Sequence, residues 1–271
     1  MQTKLISIIT PSFNQAQYIE RNIASVLQQD YPAVEHIMID GGSTDNTVKI
    51  LHKYPHLYWI SEKDNGQSDA LNKGLKIATG EIIGWLNSDD FYEQDIFKTV
   101  AKEFEDQNVQ WVIGNLKIFY EENKRIIPIK SPTITQENLL KDPDIVKQQP
   151  TFFRKSILDR VGGWDASFYM AMDYDLWVRL SKISTPKMMD RYWAFFVIQA
   201  EQKSLGKNLL RQLREILIIM KREGAPGYYT MKVSIRKYIY FIKYCMKRFL
   251  IRMGLISPNY LNMNLIHRNK Y

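Results

Sequence analysis

Cysteine is nearly absent. Cys245 is the only one, so no disulfide can form within the chain, and a reducing compartment is the expectation. Histidine is scarce as well: His36, His52, His56 and His267 have no spacing that resembles a zinc site. No apolar run approaches the ~18 to 20 residues that a transmembrane helix needs. The opening residues MQTKLISIITPSF offer neither a basic n-region nor a small-residue cleavage site, so no secretory signal is expected. What is present, 45% hydrophobic and 24% charged residues over 271 positions, suits one sizeable α/β domain plus an appendage.

The net charge of +8 is unevenly spread. From Lys207 onward the chain carries 14 Lys and Arg but 2 Asp and Glu, a net of +12, which leaves the first 206 residues at −4. That asymmetry predicts a slightly acidic globular domain over 1–206 and a basic extension over 207–271.

Short apolar runs rich in β-branched residues alternate with helical patterns. Leu5 to Phe13, Glu35 to Gly41, Leu57 to Glu62 and Glu81 to Asn87 read as strands, and the segments between them carry apolar residues at three- and four-residue spacing. Such alternation predicts a parallel sheet wrapped by helices, with ligands at the carboxyl ends of its strands near the reversal of strand order. Ser12 to Asn14, Asp40, Asn87, Asp89 and Asp90 would then share one rim. Further on, Val109 to Tyr120 reads as a strand, QQPTFFRKSILDRVGGWD as a strand, short helix and glycine turn, and MDYDLWVRLSK as the start of a helix.

Three segments carry candidate chemistry. Asp89 and Asp90 repel each other, and a hard divalent cation is one way to make such a pair favourable; a cap on the following helix explains only one acid. IDGGSTDNT places Asp40, two glycines and hydroxyls at a strand end, where backbone amides can approach a ligand and Thr44 can cap the next helix. FYMAMDYDLWVRL sets Asp173 and Asp175 before an apolar helix, either as cap and first-turn charge or, among Trp164, Phe168, Tyr169, Tyr174 and Trp177, as part of a sugar-binding cleft.

The order SIITPSFNQAQYIERNIASVLQQ, IDGGSTDNT, SEKDNGQSDALNKG, GEIIGWLNSDD, QQPTFFRKS, GGWD and MDYDLWVRL resembles family 2 glycosyltransferases of the GT-A fold, from about Lys4 to Ser204. The resemblance implies a Rossmann-like α/β fold, a mostly parallel central sheet flanked by helices, here followed by the basic helical extension. It assigns Pro11, Ser12, Asn14 and Asp40 to the nucleotide, with Gly41 in place of the usual second acid. Asn87, Ser88 and Asp89 fall on the Asp-x-Asp metal motif; Asn87 replaces its first acid, which leaves Asp89 and Asp90 as ligands for Mn or Mg. Asp173 matches the catalytic base, although Met172 stands where a further acid is often found. Val197 and Gln199 stand where many relatives have an arginine and a histidine, so the histidine's part near the diphosphate is either absent or met by Gln199 or Lys203. Asn87, Gln149, Trp164 and Gln199 complete the candidate donor or acceptor contacts.

The implied reaction is inverting transfer from a nucleotide-sugar donor to a hydroxyl of a glycan or lipid-linked acceptor, in cell-surface polysaccharide or lipopolysaccharide synthesis. A sugar nucleotidyltransferase would use similar parts but usually needs a glycine- and basic-rich phosphate loop, which TPSFNQAQY does not offer. A non-catalytic nucleotide-sugar-binding or membrane scaffold is the other alternative. Within the extension, Lys232 to Met253 places Ile235, Tyr238, Ile239, Ile242, Met246, Phe249, Leu250 and Met253 at three- and four-residue spacing, with Lys232, Arg236, Lys243, Lys247 and Arg252 mostly on another side. Peripheral association with the anionic inner face of the cell membrane, from the cytoplasm, is the leading expectation. Packing on the domain and a homodimer remain open, and nucleic acid is not an expected partner.

Overall fold

The computed structural model describes residues 3–199 and 208–255. Lys203, named above as a substitute for the missing histidine, lies outside them. In chain order the elements are β1 (Ile6–Ser12), α1 (Ile19–Leu27), β2 (Val34–Asp40), α2 (Thr47–Leu51), β3 (Tyr58–Ser61), α3 (Gln67–Ile77), β4 (Ile82–Trp85), β5 (Phe91–Tyr92) and α4 (Phe97–Glu103). Then follow β6 (Trp111–Tyr120), β7 (Ile126–Ile129), α5 (Gln136–Lys141), β8 (Thr151–Arg154), α6 (Lys155–Val161), α7 (Met172–Ser181), β9 (Lys187–Ile198), α8 (Asn208–Arg222) and α9 (Gly227–Arg252).

Among the described residues, nine strands form one sheet in the order β3-β2-β1-β4-β8-β6-β9-β5, with β7 paired to β6. Pairing is parallel from β3 through β4 and again between β6 and β9. β5, β7 and β8 run the other way, so the sheet is mixed beyond β4. The chain builds outward from β1 to β3, then returns to lay β4 on the other side of β1. That reversal opens a crevice at the carboxyl ends of β1 and β4. In the parallel register Ser12 lies beside Asp40 and Asp40 beside Ser61, so the expected rim exists.

β1 is buried throughout because helices cover both faces. Ile9 faces the core shared with α3, α6 and α7, whereas Ile6 and Ile8 face the core shared with α4, as the two-residue strand period requires. Gly74 lets α3 approach closely: a Cβ there would meet Ile9 Cγ2 at 2.4 Å. α7 is anchored by Trp177, whose ring stacks on Trp111 at 5.9 Å and on Phe153 at 5.7 Å. Those contacts fix the helix that carries Asp173.

The basic extension divides in two. Leu213, Ile216, Ile219 and Met220 of α8, with Tyr229 and Val233 of α9, are buried in the main core. A boundary at 206/207 therefore marks a change in composition, not in packing. The second half of α9 has no buried residue, and Ile242, Met246, Phe249 and Met253 are each more than half exposed. Among the described residues, no helix is long and apolar enough to cross a membrane.

Candidate active site

A cleft of about 810 Å³ opens at the β1/β4 crevice. Pro11, Ser12 and Phe13 from the end of β1, Gly41, and the loop 63–67 form its first wall. Trp85 and Asn87 to Asp89 follow β4, and the loop 143–149 continues the lining. Tyr169 to Tyr174 at the start of α7, Phe196, Gln199, and Gln212 and Ile216 of α8 complete it. The volume lies in the range of ligand sites, roughly 300 to 1,000 Å³.

The adjacent acids do different work. Asp90 is fully buried: Oδ1 accepts the Val197 N–H at 2.9 Å, and Oδ2 accepts Gln149 Nε2 at 2.9 Å and Asn87 Nδ2 at 3.4 Å. Its oxygens face the protein, which corrects the expectation that Asp90 is a metal ligand. Burial first, then the neighbouring Asp89 charge, push its carboxyl well above the usual carboxylate range. Asp89 lines the cleft, where Gln199 Nε2 donates to Oδ2 at 2.6 Å. Burial raises its carboxyl too, against the opposing hydrogen bond from Gln199 and the charge of Arg21. Neither acid caps α4, which begins at Phe97 and has no side-chain cap.

The departure at Asn87 has a physical reason. Its Oδ1 accepts Gln67 Nε2 at 2.7 Å and Trp85 Nε1 at 2.9 Å, while its Nδ2 donates to Gln148 Oε1 at 3.1 Å and to Asp90. An ionised aspartate could accept but not donate. Asn87 and Gln149 are thus framework residues holding Asp90, although both border the cleft.

Asp40 is likewise turned inward. Oδ2 accepts the N–H of Gly42 at 3.2 Å, that of Ser43 at 2.8 Å and Ser61 Oγ at 2.7 Å, and Oδ1 accepts Ser43 Oγ. Fully buried, it builds the turn after β2 and is absent from the cleft lining, contrary to the base contact expected of it. Asn14 also leaves the nucleotide set: at φ 52° its Oδ1 accepts Thr44 N–H at 2.8 Å, tying the two rim loops together. Thr44 is not the cap of α2, since Asp45 Oδ1 takes the Thr47 N–H at 2.9 Å. Trp164, buried to 1% exposure, packs edge-on against Trp85 at 5.5 Å and is a core residue, not a sugar contact.

Asp64 is the acid that reading the sequence missed. It lines the cleft, its Oδ1 accepts the Gly66 N–H at 2.9 Å, and its Oδ2 would lie 2.8 Å from a Cβ on Gly41. The glycine that replaces the second acid thereby makes room for a carboxylate from the next loop. SEKDNG contains this residue, but only the fold reveals that it fills the space over Gly41.

Asp173 sits in the first turn of α7 and lines the cleft; its Oδ1 accepts the Tyr174 N–H at 2.8 Å. Burial pushes its carboxyl above the usual range, and the Asp144 charge adds to this while Lys237 opposes it. Asp175 points away into a buried ion pair with Arg179 and Arg222, each at 2.7 Å. Neither acid is the N-cap, which is Ala171.

Among the described residues no group of three or more His, Cys, Asp or Glu could hold a metal. One cleft carboxylate still suits Mg²⁺ or Mn²⁺, which commonly take one or two carboxylates and complete their shell with substrate phosphates and water. Of the carboxylates that line the cleft, Asp89 follows β4, at the position of the expected metal motif.

The comparisons agree with this geometry. The family model for glycosyl transferase family 2 matches residues 7–171. An uncharacterised glycosyltransferase of Mycobacterium tuberculosis is 32% identical over 187 residues, covering 67% of this chain and 70% of the relative. Chondroitin synthase of Escherichia coli is 27% identical over 87% of this chain, which spans 34% of the synthase's own length. S. aureus TarS 1-349 in complex with UDP shares the fold at TM-score 0.62 and 19% identity, covering 79% of this chain and 65% of that one. The mannosyltransferase PcManGT of Pyrobaculum calidifontis, in complex with GDP-Man and Mn²⁺, shares it at TM-score 0.59 and 18% identity, covering 88% and 70%. With the family model matched over most of the chain and the GT-A architecture carrying its cleft at the β1/β4 crevice, the chain belongs to glycosyl transferase family 2.

Proposed function

We propose that this family 2 glycosyltransferase moves a sugar from a UDP-linked donor to a hydroxyl of a glycan or lipid-linked acceptor, with inversion, in the synthesis of a surface polysaccharide. The observation that carries this is one cleft lined by both Asp89 and Asp173, the first beyond β4 and the second on α7. Support for the donor class comes from the fold neighbours bound to UDP and to GDP-Man, and for the product class from the chondroitin synthase relative.

Pro11, Ser12, Phe13 and Asp64 hold the nucleoside, whose uracil N3–H is a donor suited to the Asp64 carboxylate. Asp89 would hold a divalent cation, whose charge would offset the negative charge developing on the departing diphosphate. Asp173 accepts the proton of the acceptor hydroxyl as that oxygen bonds to the anomeric carbon and the carbon–diphosphate bond breaks. A single displacement inverts the anomeric configuration. Its raised carboxyl suits Asp173 to the task, because a base is most effective when its pKa approaches the working pH.

A panel of sugar nucleotides with Mn²⁺ or Mg²⁺ tests the reading. Nucleoside diphosphate release that rises with acceptor supports it. Pyrophosphate release would support the nucleotidyltransferase, and tight binding without release the non-catalytic scaffold.

The exposed half of α9 supports a place on a membrane face. Ile242, Met246 and Phe249, with Ile235 and Tyr238 before them and Met253 just past the helix end, present apolar side chains to solvent on a segment rich in lysine and arginine. The full chain is expected to float with phosphatidylglycerol vesicles and the Ile242→Glu/Met246→Glu/Phe249→Glu variant to stay behind. Equal flotation of both would contradict a membrane role for α9.

A further inference from the structure

Only two acids interrupt the basic extension, Glu215 and Glu223, and both are spent on α7. Glu223 pairs with Lys182, the C-cap of α7, at 2.5 Å. Glu215 reaches the other end. Its Oε2 accepts the N–H of Met170 at 2.6 Å and that of Ala171 at 3.0 Å, directly before the first helical residue, Met172. α7 has no side-chain cap of its own, so a carboxylate from α8 satisfies these amides and places negative charge at the helix's positive end.

The contact is buried and braced. Glu215 is 7% exposed, and its Oε1 accepts Arg211 Nε at 2.9 Å. The Arg211 guanidinium in turn stacks on the Tyr169 ring at 4.2 Å. Residues 169 to 171 are therefore held by one helical turn of α8, two residues ahead of Asp173. The same turn adds Gln212 and Ile216 to the cleft. Gln212 Oε1 accepts Lys237 Nζ at 3.0 Å, and Lys237 also binds Asp144, which lines the cleft with Asp173.

We propose that Glu215 is a positioning residue for Asp173: by capping α7 from α8, it makes the basic extension part of the catalytic apparatus. The proposal rests on the reading of Asp173 as the base. A loose cap lets the first turn of α7 fray, and a displacement of about 1 Å at a reacting group can cost on the order of a hundredfold in rate.

The unvaried protein, Glu215→Ala and Glu215→Gln are compared by amide hydrogen exchange, UDP affinity and steady-state kinetics. In the alanine variant, exchange in the peptide spanning 170–175 is expected to rise at least about tenfold, with β1 to β4 unchanged. Its kcat is expected to fall about 30- to 100-fold while UDP affinity and donor KM stay within about threefold. Glutamine, whose amide oxygen can accept the same two N–H groups, is expected to recover kcat to within about fivefold of the parent. Unchanged exchange at 170–175 would overturn the proposal, as would equal kcat in the two variants or parallel loss of kcat and UDP affinity. A parent that releases no nucleotide would sink the transferase reading, and the exchange result would then decide the cap alone.

Discussion

Asp173→Asn is expected to lower acceptor-dependent nucleotide release by about 10²- to 10⁴-fold, the range for loss of a general base, while leaving UDP binding unchanged. Asparagine preserves the side chain's shape and the acceptor for the Tyr174 N–H. Packing of α7 rests on Trp177 and the Asp175 ion pairs, neither of which is touched. What is lost is the ability to take a proton. The pH dependence carries the same signature with a definite sign. The base must be ionised and burial raises its pKa, so the acid limb of kcat should lie above the ordinary aspartate range, activity falling as pH drops through it. Asp173→Asn should erase that limb. A full-rate variant, or an unchanged acid limb in its residual activity, would remove Asp173 from the base role.

The second large effect separates two neighbours on the chain. Asp89→Asn is expected to keep the fold and lose about 10²- to 10³-fold in rate together with stimulation by Mn²⁺ or Mg²⁺, since it removes the cleft carboxylate beyond β4 to which the cation is assigned. Asp90→Ala should act on stability. It removes the acceptor of the Val197 N–H and of Gln149 Nε2, at a cost of about 1–3 kcal/mol for each buried hydrogen bond lost, while Asn87 Nδ2 keeps Gln148. Urea unfolding and metal titration of both variants check this. An Asp90→Ala protein of parental stability that has lost only its metal response would restore the paired-ligand reading.

The parallel half of the sheet was legible because strands covered on both faces read as continuous apolar runs, and strand ends in register must share a rim. Which way each acid faces was not legible. Asp89 and Asp90 are adjacent in sequence, yet one lines the cleft and the other meets amides from β9 and the loop before β8, partners more than fifty positions away. Asp40 has the same history: Ser61 reaches it only through the pairing of β2 with β3. β9 escaped notice because Asp190 and Arg191 interrupt its apolar pattern. The extension misled by its charge, since the count of lysines and arginines hid the four apolar residues that seat α8 in the core. Glu215 had no local signal, because a cap supplied from another helix leaves no motif.

The anomeric configuration of the product is the most direct test of a single displacement, in which Asp173 accepts the acceptor's proton as the diphosphate departs from the opposite face of the sugar. With an accepted donor and acceptor, proton NMR of the newly formed linkage should show the configuration opposite to that of the donor. Retention would require a different set of reacting groups and would contradict the account.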